Sequence, residues 1–237
     1  MSTKAQYRKL AKPLIAKVGD IELVDHYIVM KPMHHIFRGV LIDRLQGRPE
    51  PSPVMFVRHL FELRTWLPHT WGEWLYPRDA LLWRWSEPDE IEDLRQRLET
   101  EVFPHLRTIQ TLDDMLVEVA RVWPGAKLFP VERRTEIIRS RPCAQLAFDV
   151  ALGQLEQART HAEHYLRVYN ESNYGLRDEE DLAEFRRFSD FCRRILADDR
   201  KSLVALLHEW EAATVRHFKM EHIWEPTPFP IETMGLV

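Results

Sequence analysis

Apolar residues repeat at strand spacing along one stretch of this chain, Ile21 to Trp85. Successive side chains of a strand point to opposite faces of a sheet, so the spacing predicts strands with one buried and one solvent-facing side. The clearest case sets apolar side chains against charged ones: Met55, Val57, Phe61 and Leu63 against Arg58, Glu62 and Arg64. We predict a mostly antiparallel sheet whose four strands lie within Ile21 to Lys31, His35 to Leu45, Val54 to Trp66 and Ala80 to Ser86.

Prolines and helix-capping residues predict the loops and helix ends around these runs. The proline-rich segment from Gly47 to Pro53 is predicted to be a stiff exposed loop, because proline cannot donate to a central ladder. A first helix, capped by Ser2 or Thr3, is expected to run to about Lys17. A helix that follows Ser86 is expected to stop at Pro104.

In the second half of the chain, the apolar residues recur at helical spacing. From Val131 onward we find no strand pattern, and the apolar residues instead mark helical hairpins. The predicted fold class is α+β: an N-terminal helix plus a four-stranded, mostly antiparallel sheet with packed helices, followed by an all-helical bundle. Residues 1–125 are predicted to form the sheet domain and residues 126–237 the closely packed helical bundle domain.

Charge and composition narrow the classes of partner. The 237 residues carry a net charge of −4, whereas a nucleic-acid binder more often has a basic total, because phosphate neutralisation supplies much of its affinity. The densest basic stretch, Arg133 to Arg141, is interpreted as a salt-bridged helix surface. Cys143 and Cys192 are expected to be buried thiols in a reducing compartment. We predict a cytoplasmic protein that does not bind membranes, we rank nucleic acid below protein as a partner, and the oligomeric state stays open.

Histidines and carboxylates occur without the spacing of a catalytic or metal site. His34 and His35 begin a strand and therefore point to opposite faces. His161 and His164 lack a recognisable third ligand and are predicted to face solvent. No nucleophile elbow, phosphate loop or HExxH motif is present in the sequence. The sequence thus assigns no catalytic residue, no metal ligand and no cofactor, and it favours a protein that is not an enzyme.

An aromatic-rich connection lies between Leu67 and Asp79. Trp and Tyr supply large contact areas at low entropy cost and are enriched at interaction hot spots. We predict that this connection and its neighbours bind a partner through Trp66, Trp71, Trp74, Tyr76 and Arg78. The alternative is that the connection folds back to cover an open face of the sheet.

Two resemblances accompany these patterns. The N-terminal half is similar to an immunity-protein-like α+β family of uncharacterised bacterial proteins, through Pro32, His34, His35, Ile36, Arg38 and Gly39, then Phe56 to Leu63, then Trp83. This resemblance implies a non-catalytic partner of a bacterial toxin. In the C-terminal half, Leu152-Gly153 followed by Ala158 resembles the turn of a tetratricopeptide repeat, over a single hairpin.

These observations support hypotheses from different functional classes. The preferred one is a non-enzymatic protein-interaction module of a bacterial cytoplasm, of immunity or adaptor type, whose partner is another protein. The alternative is a small-molecule or metal-dependent enzyme with a pocket between the sheet and the helical half, whose polar groups are His34, His35, Arg38 and Asp43. Nucleic-acid binding ranks third.

Overall fold

A sheet and surrounding helices form a mixed α+β fold. A computed structural model describes residues 3–44, 50–62, 71–78, 82–122, 142–169 and 179–237. The strands are β1 (Ile21–Val24), β2 (Tyr27–Met30), β3 (Ile36–Arg44), β4 (Pro51–His59) and β5 (Trp71–Trp74). The helices are α1 (Lys4–Val18), α2 (Pro88–Arg97), α3 (Phe103–Arg107), α4 (Leu112–Val122), α5 (Pro142–Ala151), α6 (Leu155–Val168), α7 (Glu179–Leu196), α8 (Arg200–Phe218) and α9 (Pro230–Thr233).

The N-terminal helix α1 begins and ends near the predicted residues. The Gln6 N–H donates to Thr3 Oγ1 at 3.3 Å, and the Thr3 N–H donates to Gln6 Oε1 at 2.7 Å, so two backbone donors at the helix start are satisfied. Gly19 ends the helix with a φ of 80°, a left-handed conformation that glycine adopts without steric cost. The buried side of α1 consists of Tyr7, Leu10, Ala11 and Leu14.

The sheet has five antiparallel strands in the order β1-β2-β3-β4-β5, one more than predicted. The first predicted run splits into β1 and β2 at Asp25, whose φ of 53° lies in the left-handed region that Asp tolerates better than most residues. The predicted strand from Ala80 to Ser86 is wrong for residues 82–86, which form no strand. Instead β5 lies in the connection that we expected to be a loop.

Two prolines lie inside β4, part of which we expected to be an exposed loop. The Leu75 N–H donates to the Pro53 carbonyl at 2.9 Å, and alternate residues of an antiparallel strand bond to alternate neighbours. The odd-numbered residues of β4 therefore face β5, and the even-numbered ones face β3. Pro51 and Pro53 lack the N–H groups that would point toward β5, and both lie opposite positions beyond Trp74, where β5 ends. The hydrogen bonds between β4 and β3 therefore stay intact.

The centre of the sheet is buried on both faces, which the alternation of charge did not predict. Arg58 is fully buried, and its guanidinium carbon lies 5.3 Å from the ring centroid of Phe218, within cation–π range. Phe37 and Phe56 pack edge to face at 4.7 Å between centroids. The expectation that Arg58 and Glu62 face solvent is therefore wrong, since Glu62 is buried as well.

The helix after the sheet continues past the proline at which we expected it to stop. A π-helical turn, Leu98–Val102, follows α2, and the Phe103 N–H donates to the Leu98 carbonyl. α3 continues the same helix and contains Pro104, which lacks an N–H and so interrupts the hydrogen-bond ladder directly after the π-helical turn. The prediction was wrong because it interpreted the proline as the end of the helix, whereas the helix continues through Pro104 beside a π-helical turn.

The chain divides into two compact units. The first takes in Met1–His59, Pro68–Leu128 and Phe218–Glu225, and the second takes in Leu60–Leu67, Phe129–His217 and Pro226–Val237. The predicted boundary at residues 125 and 126, the basic stretch from Arg133 to Arg141, and the pair Leu63 and Arg64 lie outside the described residues.

Helices provide the described secondary structure of the second unit. Gly153, with a φ of 72°, joins α5 to α6 in the predicted hairpin. Phe229 of the C-terminal segment is fully buried, with its ring 5.2 Å from that of Phe61. Both cysteines of the chain are described and they form no disulfide. Burial raises the pKa of Cys192 to about 12, so its thiol stays protonated and unreactive.

Candidate functional site

Strand β5 is one edge of the sheet. In the part of the chain that the structure describes, it pairs only with β4, and its register sets Trp74 opposite Val54 and Gly72 opposite Phe56. Gly72, Glu73 and Trp74 are exposed, whereas β4 is buried throughout. An edge strand carries a row of backbone N–H and C=O groups that its own sheet does not use. β5 is therefore a position at which the sheet can accept another strand.

The hydrogen-bond ladder identifies the backbone groups in this row. Because the Leu75 N–H donates to the Pro53 carbonyl, the odd-numbered residues of the segment face β4. Gly72 and Trp74 consequently direct their N–H and C=O groups away from β4. Gly72 also permits the close approach of the two strands, since a Cβ at this position would lie 2.7 Å from Val54 Cγ1.

Two aromatic side chains stand next to this row of backbone groups. Trp74 is 42% exposed and Tyr76 is 55% exposed, although both are large and mostly apolar. Leu75 between them is buried, and its carbonyl accepts a hydrogen bond from Trp83 Nε1 at 2.6 Å. The Tyr76 carbonyl accepts a hydrogen bond from Arg97. These bonds hold the backbone in place, so the exposed aromatic groups are preorganised for binding.

Arg78 lies two residues beyond Tyr76 and adds a charge to the same segment. Its Nη2 lies 3.2 Å from Glu101 Oε1, and both side chains of this ion pair are exposed. Exposed ion pairs contribute little to stability, so Arg78 can exchange Glu101 for an acidic group of a partner at small cost. We call Gly72, Glu73, Trp74, Tyr76 and Arg78 the edge surface.

A charged network supports β5 through Glu73. Arg121 donates to Glu73 at 2.9 Å and to Glu118 at 2.8 and 2.9 Å, and His105 Nε2 lies 3.0 Å from Glu118 Oε2. Burial opposes the ionisation of Glu118, but hydrogen bonds from Arg121 and His105 outweigh burial and hold the pKa of Glu118 below its usual value. The hydrogen bond to Glu118 also raises the pKa of Arg121, so both groups stay charged at neutral pH.

The structure brings together three of the residues predicted to bind a partner, Trp74, Tyr76 and Arg78. Trp66 lies outside the described residues, and Trp71 belongs to β5 with its side chain undescribed. The density of Trp and Tyr in the sequence pointed to this segment, but it did not indicate that the segment contains an edge strand. Alternation over only four residues, one of them glycine, is too short a signal for a strand.

Two polar groups of the enzyme hypothesis, His34 and Arg38, have separate partners. His34 Nδ1 donates to the Glu225 carbonyl at 2.9 Å. Arg38 is buried, with its Nη2 3.5 Å from Gln110 Oε1, and burial lowers its pKa. His35 is half-buried, and the side chain of Asp43 is not described. His34 and Arg38 therefore bond to different residues of the chain.

A polar cluster in the hairpin of α5 and α6 escaped the sequence reasoning. His161 Nδ1 lies 2.7 Å from Asp149 Oδ2, which leaves Nε2, at 2.9 Å, to accept from the Gln145 amide. The Tyr165 hydroxyl donates to Gln145 Oε1. The prediction that His161 faces solvent is wrong, and polar residues spaced by four on both helices could have revealed the cluster. Since each side chain bonds to another member, we interpret the cluster as fixing the alignment of the hairpin.

A histidine between two glutamates holds the C-terminal segment. His208 Nε2 lies 2.9 Å from Glu232 Oε2, and its Nδ1 lies 3.6 Å from Glu211 Oε2. The carboxylates of Glu211 and Glu232 raise the pKa of His208 against the effect of burial. Glu232 also accepts from the Phe229 N–H at 2.7 Å. This arrangement is structural, because it positions the buried Phe229 ring.

Among the described residues, no helix is long and apolar enough to cross a membrane, and no three His, Cys, Asp or Glu side chains are grouped so as to hold a metal ion. Comparisons of the chain with protein-family models, with curated proteins and with solved structures found no match.

Proposed function

We propose that this protein is a non-enzymatic protein-interaction module that binds an extended segment of a partner protein along β5. The observation that carries this proposal is the exposure of Trp74 and Tyr76 next to backbone groups that face away from the sheet. Proteins that add a strand to an open sheet edge gain affinity from backbone hydrogen bonds and specificity from nearby side chains. The edge surface supplies both.

The distribution of side chains supports an extended peptide as the occupant. The outward N–H and C=O groups of Gly72 and Trp74 are spaced to pair with a neighbouring strand. The indole of Trp74 is partly exposed beside these groups, where a side chain of the partner can pack against it. Arg78 adds a positive charge beyond the aromatic groups, and such a charge helps to select the register and orientation of a partner.

The size of the surface supports transient rather than permanent binding. β5 is four residues long, so it offers few backbone hydrogen bonds and a small contact area. Small interfaces are typical of weak or transient complexes. Within this class we propose an immunity or adaptor role in a bacterial cytoplasm, supported by the resemblance of residues 32–39 and 56–63 to immunity-like proteins.

The test begins with a pull-down from the cells that make this protein, followed by titration of the captured partner against purified variants. Trp74→Ala removes the indole but keeps the outward N–H. Trp74→Pro removes both, because proline lacks that donor, which points away from β4. Met234→Ala serves as the control, since Met234 is an exposed apolar side chain of the C-terminal segment.

We expect Trp74→Ala to weaken the measured affinity by about tenfold or more, as for a truncated hot-spot aromatic. Trp74→Pro should weaken it further, and Met234→Ala should leave it unchanged. Equal affinities for Trp74→Ala and Trp74→Pro would mean that no strand pairs with β5. Unchanged affinity for both would remove the edge surface from the binding site altogether.

A further inference from the structure

Helix α1 has a one-sided charge that the proposed function does not use. It carries five basic side chains and no acidic one: Lys4, Arg8, Lys9, Lys12 and Lys17. Lys4 lies 3.6 Å from Asp25, and Lys17 lies 2.5 Å from Glu99. Arg8, Lys9 and Lys12 are exposed and have no acidic partner among the described residues. Their charges are therefore available to an anion from outside the chain.

Two of these cations border an open groove. The groove has a volume of about 350 Å³ and is lined by Arg8, Lys12, Ile15, Ala16 and Leu23. Ile15, Ala16 and Leu23 give it an apolar floor, while the two charged side chains form its rim. An apolar floor with a charged rim suits a ligand that combines an apolar side chain with carboxylates.

The net charge outside α1 favours some classes of anionic partner over others. The whole chain carries −4 and α1 contributes +5, so everything outside α1 carries −9. A nucleic acid or an anionic membrane extends well beyond the groove and meets this excess of negative charge, which repels it. A short acidic peptide contacts only the basic patch, so its attraction is not offset in this way.

We infer that the groove of α1 and β1 binds an acidic peptide segment of a partner protein, with one large apolar side chain on Ile15, Ala16 and Leu23 and carboxylates facing Arg8, Lys9 and Lys12. This surface differs from the edge surface and does not depend on the function proposed above. It gives the protein a second docking site, which binds through charged and apolar side chains, whereas the edge surface binds through backbone hydrogen bonds.

The test uses full-length protein and a fluorescein-labelled synthetic peptide in which Asp and Glu flank a single central Trp. Binding is followed by fluorescence anisotropy at low ionic strength, where surface charges act over the longest range. The double variant Arg8→Glu/Lys12→Glu reverses the rim, and Ala16→Trp fills the floor without changing charge. Arg186→Glu/Arg187→Glu is the matched control, because both arginines are exposed on α7. Circular dichroism confirms that each variant is folded.

We expect saturable binding, weakened about tenfold or more by the rim variant and by Ala16→Trp and unchanged by the control. Binding that the rim variant abolishes but Ala16→Trp leaves intact would be simple ionic adsorption, and it would overturn the groove site. Absence of binding to the native protein would overturn it as well. So would tighter, rim-dependent binding of phosphatidylglycerol-containing vesicles or of a single-stranded oligonucleotide, because the ligand would then be a polyanion.

Discussion

Aromatic side chains are buried at the centre of the sheet and partly exposed at its edge. In the central strands β3 and β4, Phe37 and Phe56 are buried, and even the guanidinium of Arg58 is enclosed beside Phe218. At the edge, Trp74 is 42% and Tyr76 55% exposed, although hydrogen bonds from Trp83 and Arg97 hold the neighbouring carbonyl groups. Aromatic residues thus stabilise the core at the centre of the sheet, whereas at its edge they are accessible to another molecule.

This contrast teaches that exposure, rather than aromatic content, separates core from binding surface. A buried ring contributes stability in proportion to the apolar area that it removes from water. An exposed ring contributes little to the monomer and retains that area for a complex. Substitutions in the two regions should therefore affect different measurements.

The largest effect should come from the centre. Phe56→Ala removes a fully buried ring that packs against Phe37, and we expect it to lower the free energy of unfolding by about 3–5 kcal/mol. Urea denaturation measures this change. Phe56→Leu, which keeps most of the apolar volume, should lose far less. A loss below about 1 kcal/mol for Phe56→Ala would mean that the centre is not a packed core.

Substitutions at two glycines test how rigid the centre and the edge of the sheet are. A Cβ at Gly39 would lie 2.3 Å from the backbone oxygen of Ile28, between two paired strands, whereas one at Gly72 would meet Val54 Cγ1 at 2.7 Å on a strand that is free to move outward. We expect Gly39→Ala to lower the free energy of unfolding by about 3 kcal/mol and Gly72→Ala by about 1 kcal/mol. The reverse order in denaturation would contradict the assignment of centre and edge.

The charged network beside β5 should give a smaller, pH-dependent effect. At pH 7, Glu118→Gln should lower the free energy of unfolding by about 1–2 kcal/mol, because Arg121 and His105 lose a buried carboxylate partner. The pKa of Glu118 is lowered in the folded protein, so its contribution is present above the unfolded pKa and is lost as pH falls through the folded pKa. Wild type and variant should therefore converge in acid, and denaturation series at several pH values check this.

The smallest effect on stability should come from the edge. Trp74→Ala removes a ring that is already 42% exposed, and we expect it to lower the free energy of unfolding by less than about 1 kcal/mol. Thermal denaturation, monitored by circular dichroism, measures this. A loss as large as that of Phe56→Ala would show that the indole belongs to the core, and it would remove the reason to assign it to a partner.

Local signals predicted a good part of the fold. Thr3 and Gly19 delimit α1 because capping and left-handed glycine are decided within a few residues. β3 was predicted because five of its nine residues are large and apolar. The split at Asp25 escaped the prediction, since a turn without glycine or proline leaves only a weak signal.

Tertiary context decided the features that the sequence did not reveal. The alternation of Trp83 and Trp85 resembles a strand, but the Trp83 indole donates to the Leu75 carbonyl from a segment that pairs with no strand. The charge of Arg58 suggested a solvent-facing side of the sheet, and its packing beside Phe218, far away in sequence, could not be predicted from local spacing. In the edge surface, composition revealed the aromatic residues, whereas the openness of β5 depends on which strands pair.

Residue-resolved amide hydrogen exchange of the free protein tests most directly whether β5 is an open edge. The amides of Gly72 and Trp74 point away from β4, whereas those of Glu73 and Leu75 point toward it. We predict fast exchange at Gly72 and Trp74 and slower exchange at Glu73 and Leu75, because only the latter amides are hydrogen-bonded within the sheet. Equal protection at all four amides would show that the edge is already occupied, and it would contradict the proposed binding of a partner strand.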